Sequence, residues 1–325
     1  SRSKMHSHCL KMMSEREHLG RECIGLYIDG VFCGGGIKGF ALIGAVMELE
    51  QQGYTFKRVA GTSAGSIIAG FLAAGYSGAE IKLLMEDVEL SRLLESKKRI
   101  QFPFARWLKL YWTMGLYKGD ALECWIKEIL EKKGIRTFGD LSDKQLRIIA
   151  SDLSNGRMLI LPDDLAAYNI EPKQFPVAKA IRMSCSIPFF FEPIKLKTVG
   201  EKYIVVDGGA LSNFPMWLFD QDNINPIRPV LGLNLVHEKT EKSKEEITNA
   251  IGLFSSLFET MRNAHDSRYI SRKFVKNIIF IPVKDAGFIE FSLTDEQRTG
   301  LVESGRRAAA QFVKHWTHRI KKKMN

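Results

Sequence analysis

Between residues 26 and 75 the chain repeats one pattern twice: an apolar strand, an abrupt glycine-bearing turn and an apolar helix. Residues 26–32 read as a buried strand, broken at once by Cys33-Gly34-Gly35-Gly36. The helix that follows places Phe40, Ile43, Val46 and Met47 on one face, with Gly53 beyond its end. Residues 56–60 form the second predicted strand, and Gly61-Thr62-Ser63-Ala64-Gly65 turns it into an apolar helix that ends near Gly75. Parallel strands need a crossover to join them, and a helix supplies it. Two such units in succession therefore predict an α/β fold, a central and mostly parallel sheet with helices on both faces.

The rest of the chain continues in this style. Ser77 and Glu80 form a capping box for a further helix. Residues 119–133 predict a helix stopped by Gly134, and residues 146–151 and 157–161 a strand pair across the Asn155-Gly156 turn. A short helix is expected over 177–183 and a strand over 202–206, which ends in Asp207-Gly208-Gly209. Residues 230–236 and 278–283 read as core strands. Ser243 and Glu246 cap a helix with Ile247, Ile251, Phe254, Phe258 and Met261 along one stripe, and Thr294 and Gln297 open a final helix to about residue 322. With no repeat and no low-complexity linker, residues 26–325 are expected to form one domain, with a motif-bearing core over 28–220 completed by 221–325. Residues 1–25 are expected to be an extension outside it.

Of the residues, 45% are hydrophobic and 26% charged, which excludes a disordered chain. Five cysteines, odd in number and without a CxxC pair, form no disulfide framework, and neither histidine pair has ligands beside it for zinc. No stretch reaches the roughly 18 apolar residues of a membrane span, and the first 25 residues lack the apolar core of a signal peptide, so a cytoplasmic protein is expected. The formal charge of +10 suggests an anionic partner. However, residues 301–325 hold seven Lys/Arg against one acid and so carry +6 of it. That argues against a broad nucleic-acid face and confines any anionic-surface contact to one helix.

Three motifs carry chemistry. Gly61-x-Ser63-x-Gly65 lies between a strand and a helix, where a nucleophilic serine sits on a sharp turn that only small neighbours permit. The helix N-terminus beside it stabilises developing negative charge. Read alone, the pentapeptide also fits a serine cap between two packing glycines. Gly34-Gly35-Gly36-Ile37-Lys38-Gly39 matches a dinucleotide-binding fingerprint, but the second strand ends in Ala60-Gly61 and lacks the acid that would bind a ribose. Glycine N–H groups at a helix start serve equally well as an oxyanion hole. Asp207-Gly208-Gly209, at a strand end, reads by itself as a turn.

In this order and spacing the three motifs resemble the patatin-like phospholipases, a family of lipid acyl hydrolases. Its pattern is a G-G-G-x-[RK]-G loop, then G-x-S-x-G, then D-G-[GA]. The Ser184-Cys185-Ser186-Ile187-Pro188-Phe189 segment is similar to the small-residue and proline stretch that precedes the family's aspartate. The resemblance covers residues 28–220 firmly and the remainder more loosely. It implies a three-layer patatin-like fold and a Ser63–Asp207 dyad that cleaves phospholipid or other fatty-acyl esters through an acyl-serine intermediate. The oxyanion would be held by the Gly34–Gly39 loop, through the Gly35 and Gly36 amides joined by that of Ala64. Gly61, Gly65, Gly208 and Gly209 would support the turns, and Lys38 would either add positive potential or lie solvated on the first helical turn. No metal or organic cofactor is implied. Two alternatives stay open at this stage. Ser63, Asp207 and His237 follow the chain order of an α/β-hydrolase triad, and the glycine loop also fits a nucleotide-binding module.

Two segments are candidates for peripheral contact with a membrane. Residues 97–118 interleave aromatic and basic side chains and read either as a cap over an acyl pocket or as a packed subdomain. The final helix places Leu301, Gly305, Ala308, Phe312, Trp316 and Ile320 on one stripe, which suits an interfacial helix or one docked on the sheet.

Overall fold

The computed structural model describes residues 26–88, 110, 112–198, 200–219, 228–237, 247, 250–269, 275–283 and 293–324. Side chains are described for all of these except residues 237, 250, 251, 255, 263–269 and 317–324. Most of the aromatic and basic segment, residues 97–109 and 111, and the Ser243 and Glu246 cap therefore lie outside the described residues.

The two opening units form as expected. Strand β1 (Leu26–Phe32) leads to helix α1 (Gly39–Gln51), and strand β2 (Tyr54–Thr62) to helix α2 (Ala64–Ala73). Both helices are buried on nearly every side, which explains why neither needs a polar face. β2 begins two residues earlier than predicted because its polar first half still pairs with β1. Helix α3 (Gly78–Asp87) starts from the complete Ser77–Glu80 capping box. Then come β3 (Gly115–Tyr117), α4 (Asp120–Lys132), β4 (Leu146–Asp152), β5 (Arg157–Leu161), α5 (Val177–Ser184), β6 (Phe189–Phe191), β7 (Ile194–Lys197), β8 (Lys202–Asp207), β9 (Val230–His237), α6 (Ala250–Tyr269), β10 (Ile278–Val283) and α7 (Asp295–Met324). The strands that sequence periodicity misses, β3, β6 and β7, have three or four residues each, too few to show an alternation.

Strands β10, β9, β1, β2 and β4 lie side by side and parallel, while β5, β7 and β8 join antiparallel. The fold is thus an α/β sheet of mostly parallel strands with helices packed along it. One detail of register matters most. β2 pairs with residues 146–149 of β4 and ends with Thr62 opposite Ile149. β8 runs the other way and ends with Asp207 opposite Ala150. Because β5 occupies the other edge of β4 over residues 148–152, β2 and β8 share a single edge. They meet there tip to tip, their C-terminal ends facing consecutive residues of one strand.

The C-terminal helix settles against the first unit. Val302, Gly305, Ala309, Val313 and Trp316 are its buried residues or contact points, a line turned by about one residue from the predicted stripe. A Cβ on Gly305 would strike the Ala41 carbonyl, and one on Gly44 would strike that of Val302, so α1 and α7 cross at backbone distance. Trp316 donates its indole N–H to Asn277 Oδ1 at 3.2 Å and packs on Tyr54. This line of α7 up to Trp316 is therefore covered by the protein itself, while Leu301, Ala308 and Phe312 line a cleft towards β10. The helix is thus docked on the domain over its described side chains.

Candidate active site

Ser63 sits on the turn between β2 and α2 at φ 52°, ψ −127°, a region costly for any side chain. Three bonds hold it there. Its N–H donates to Ser184 Oγ at 2.8 Å, and its carbonyl accepts from the Ser66 N–H at 2.8 Å and the Ser66 hydroxyl at 2.6 Å. Gly65 explains the motif's second glycine, since a Cβ there would lie 2.5 Å from the carbonyl oxygens of both Phe32 and Cys33. A Cβ on Gly61 would meet the Gly65 carbonyl. Because α2 begins at Ala64, its first N–H groups and the positive end of its dipole lie next to the serine.

Asp207 closes β8 and is buried. Its Oδ1 accepts from the Gly209 N–H at 2.7 Å. Its Oδ2 is buried and accepts no closed hydrogen bond, yet the Ser63 hydroxyl is near enough to act on the carboxylate. Burial pushes this carboxyl up from 3.8 to about 6, against the opposing pulls of Ser63, the Gly209 N–H and the Arg262 charge. A Cβ on Gly208 would fall between the Ile149 carbonyl and Thr62, which shows how tightly the two strand tips abut.

The glycine loop lies against this pair. A Cβ on Gly34 would be 3.1 Å from the Ser63 Cβ, and one on Gly39 3.5 Å from that of Ala64. The Gly34 N–H is already engaged, donating to the Asn213 carbonyl at 3.2 Å. Within the loop, Gly34 is therefore a spacer beside the serine. The Gly35 and Gly36 amides, which open a 3₁₀ turn, have no backbone acceptor among the described residues. Lys38 is buried on this turn, so the solvated reading does not hold. It lines one end of a cleft of about 1600 Å³ between β10 and α7, which Ser63 and Asp207 do not line.

Sequence reasoning missed the residues that hold the site in place. Ser184 Oγ, having accepted from Ser63, donates to the Ile149 carbonyl at 2.6 Å. Arg182 is fully buried, lies over the Phe191 ring, and donates to Ser186 Oγ and to the carbonyls of Gly119, Lys118 and Glu192. The Ser186 carbonyl accepts from the Asp207 N–H at 2.9 Å. Burial draws the Arg182 guanidinium below its ordinary value and pushes the neighbouring Cys185 thiol up to about 12. Their only sequence signal was the run of small residues around Cys185. Helix α6 covers the Asp207 side, with Phe258 and Arg262 buried beneath it.

His237 ends β9 and pairs through its backbone with Val283; β9 is separated from β2 by β1. Among the described residues no group of three or more His, Cys, Asp or Glu could hold a metal, and no helix is long and apolar enough to cross a membrane.

Comparison with known proteins bears on family and fold. The family model described as Patatin-like phospholipase matches residues 30–220. An uncharacterized protein, YqhO of Bacillus subtilis (strain 168), is 53% identical over 294 residues, 90% of this chain and 100% of its own length. A cUMP-AMP-activated phospholipase of Escherichia coli is 29% identical over 194 residues, 56% of this chain and 54% of that protein. Among solved structures, VipD from Legionella pneumophila has a TM-score of 0.54 at 17% identity, covering 89% of this chain and 67% of VipD, a likeness of fold.

Proposed function

The chain belongs to the patatin-like phospholipase family, and on that footing we propose that it hydrolyses fatty-acyl esters of lipids with Ser63 as nucleophile and Asp207 as its base. The observation that carries this reading is the meeting of β2 and β8 on one edge of β4, which brings the Ser63 turn to a buried carboxylate. Ser63 Oγ attacks the ester carbonyl while Asp207 takes its proton. The tetrahedral oxyanion accepts from the Gly35, Gly36 and Ala64 N–H groups. The alcohol departs with the proton from Asp207 and leaves an acyl-serine ester. Water then attacks the acyl-serine, giving its proton to Asp207, which returns it to Ser63 Oγ as the fatty acid leaves.

An ordinary carboxylate of pKa about 3.9 is a weak base for an alcohol. Raising it to about 6 narrows the gap while leaving it ionised at neutral pH. Residues 26–325 act in this reading as one domain, since α7 packs on α1. The substrate lies at a surface the protein reaches from outside the bilayer.

The test is covalent labelling by a fluorophosphonate, together with hydrolysis of a soluble short-chain ester. Ser63→Ala should abolish labelling, and Asp207→Ala should reduce turnover by roughly a thousandfold or more. Labelling of the Ser63→Ala protein would end this mechanism.

A further inference from the structure

We propose that α6 is an interfacial lid: its inner side closes over the Asp207–Gly209 turn, and its outer side docks on the acyl layer of a lipid surface. This rests on the lipid-hydrolase reading and assigns to the same site its means of reaching substrate.

The sequence suggests one apolar stripe on this helix, but the structure divides it in two. Phe254, Phe258 and Arg262 form the inner line. The Phe258 ring comes within 3.6 Å of where a Cβ on Gly209 would stand, and the Arg262 charge acts on Asp207. Leu253, Leu257 and Met261 form the outer line at four-residue spacing, and are 58%, 54% and 50% exposed. The outward face of a surface helix is normally polar, so three large apolar side chains in a row call for a partner. Met261, expected on the inner stripe with Phe254 and Phe258, lies on this outer line instead.

The occupant follows from where the helix sits. Phe189, 44% exposed, is held at φ 62°, a region that disfavours bulky residues, and its ring packs edge-on to Phe254 at 4.5 Å. Phe254 in turn packs on Phe258 at 5.8 Å. An unbroken aromatic line thus runs from the exposed rim to the glycine beside Asp207. Met114, exposed as well, adjoins the β3 residue that pairs with Phe189. A protein partner has no use for an apolar path into a hydrolase site, whereas an acyl chain leaving a lipid layer does.

The test uses full-length protein and phosphatidylcholine vesicles, whose neutral surface removes attraction to the basic end. Vesicle sedimentation is measured in a Ser63→Ala background, so binding is read apart from catalysis. Leu253→Gln, Leu257→Gln and Met261→Gln together should weaken sedimentation roughly a hundredfold, since each side chain loses its transfer from water to hydrocarbon. With Ser63 intact, soluble-ester hydrolysis should be unchanged and vesicle hydrolysis should fall with binding. The matching triple Phe variant should retain both. Unchanged sedimentation of the Gln variant overturns the lid, as does a wild-type chain that ignores the vesicles. So does light scattering that shows the stripe joining two copies in solution. Absence of soluble-ester hydrolysis by wild type would sink the enzymatic reading instead, and sedimentation would still judge the helix.

Discussion

Asp207→Asn should make the protein more stable at neutral pH while stopping catalysis, and the gain should vanish in acid. The carboxyl is buried and its pKa stands at about 6 in the folded chain against 3.8 when free. A raised pKa means that the fold tolerates the neutral acid better than the carboxylate. The cost of ionisation is absent below the unfolded value and grows as pH rises. It is complete above the folded value, at about 3 kcal/mol. Asparagine has nearly the same shape, can keep the acceptor for the Gly209 N–H at 2.7 Å, and never ionises. Any constant difference between amide and acid cancels when the two proteins are compared across pH. About 1 kcal/mol of the cost is already present at pH 4.5, so the variant's advantage should grow by about 2 kcal/mol between pH 4.5 and 8. For a chain of this size that is about 3 °C in Tm. Guanidinium or thermal unfolding of both proteins across this range reads it directly. An advantage that stays flat with pH, or shrinks as pH rises, would refute the claim that Asp207 is held ionised at a cost.

In the proposed mechanism the same carboxylate sets the pH dependence of the reaction. With a soluble ester, kcat/KM should fall about tenfold per pH unit below about 6, because the base must be deprotonated; full activity at pH 4.5 would contradict this. Ser184→Ala removes the acceptor of the Ser63 N–H at 2.8 Å and the anchor to Ile149, so kcat should drop by roughly ten- to a hundredfold with KM little changed. Unfolding should show about 1–3 kcal/mol lost, and fluorophosphonate labelling should slow in step with kcat. His237→Ala should keep most esterase activity; its collapse would favour a triad over the dyad.

Much of the local geometry around Ser63 and Asp207 is legible in the sequence, and for a physical reason. Glycines at 61 and 65 stand where any Cβ would strike a carbonyl, so the turn imposes its residue types on the sequence. The same holds for the Gly208 turn against Ile149. Caps behave alike: Ser77 with Glu80 and Thr294 with Gln297 satisfy local backbone groups, and local bonds leave local signals. Buried positioning residues leave far less. Arg182 in a helix pattern reads as a surface charge, and only the carbonyls of Lys118, Gly119 and Glu192 arriving from elsewhere make it an interior anchor. Met261 departs from the predicted stripe of α6 for a related reason. Apolar periodicity shows that a face avoids water, but not whether protein or lipid will cover it.

By itself, then, the sequence determined the strand–turn–helix order, the Gly61–Gly65 turn, the glycine loop and the aspartate at a strand end, because each depends on sterics within a few residues. Tertiary structure alone decided that β2 and β8 share one edge of β4 and stop opposite Ile149 and Ala150. It decided too that Gly34 spends its N–H on Asn213 and that α7 crosses α1 at backbone distance. These are pairings between distant segments, and no local pattern encodes which partner a strand edge, an amide or a helix face will find.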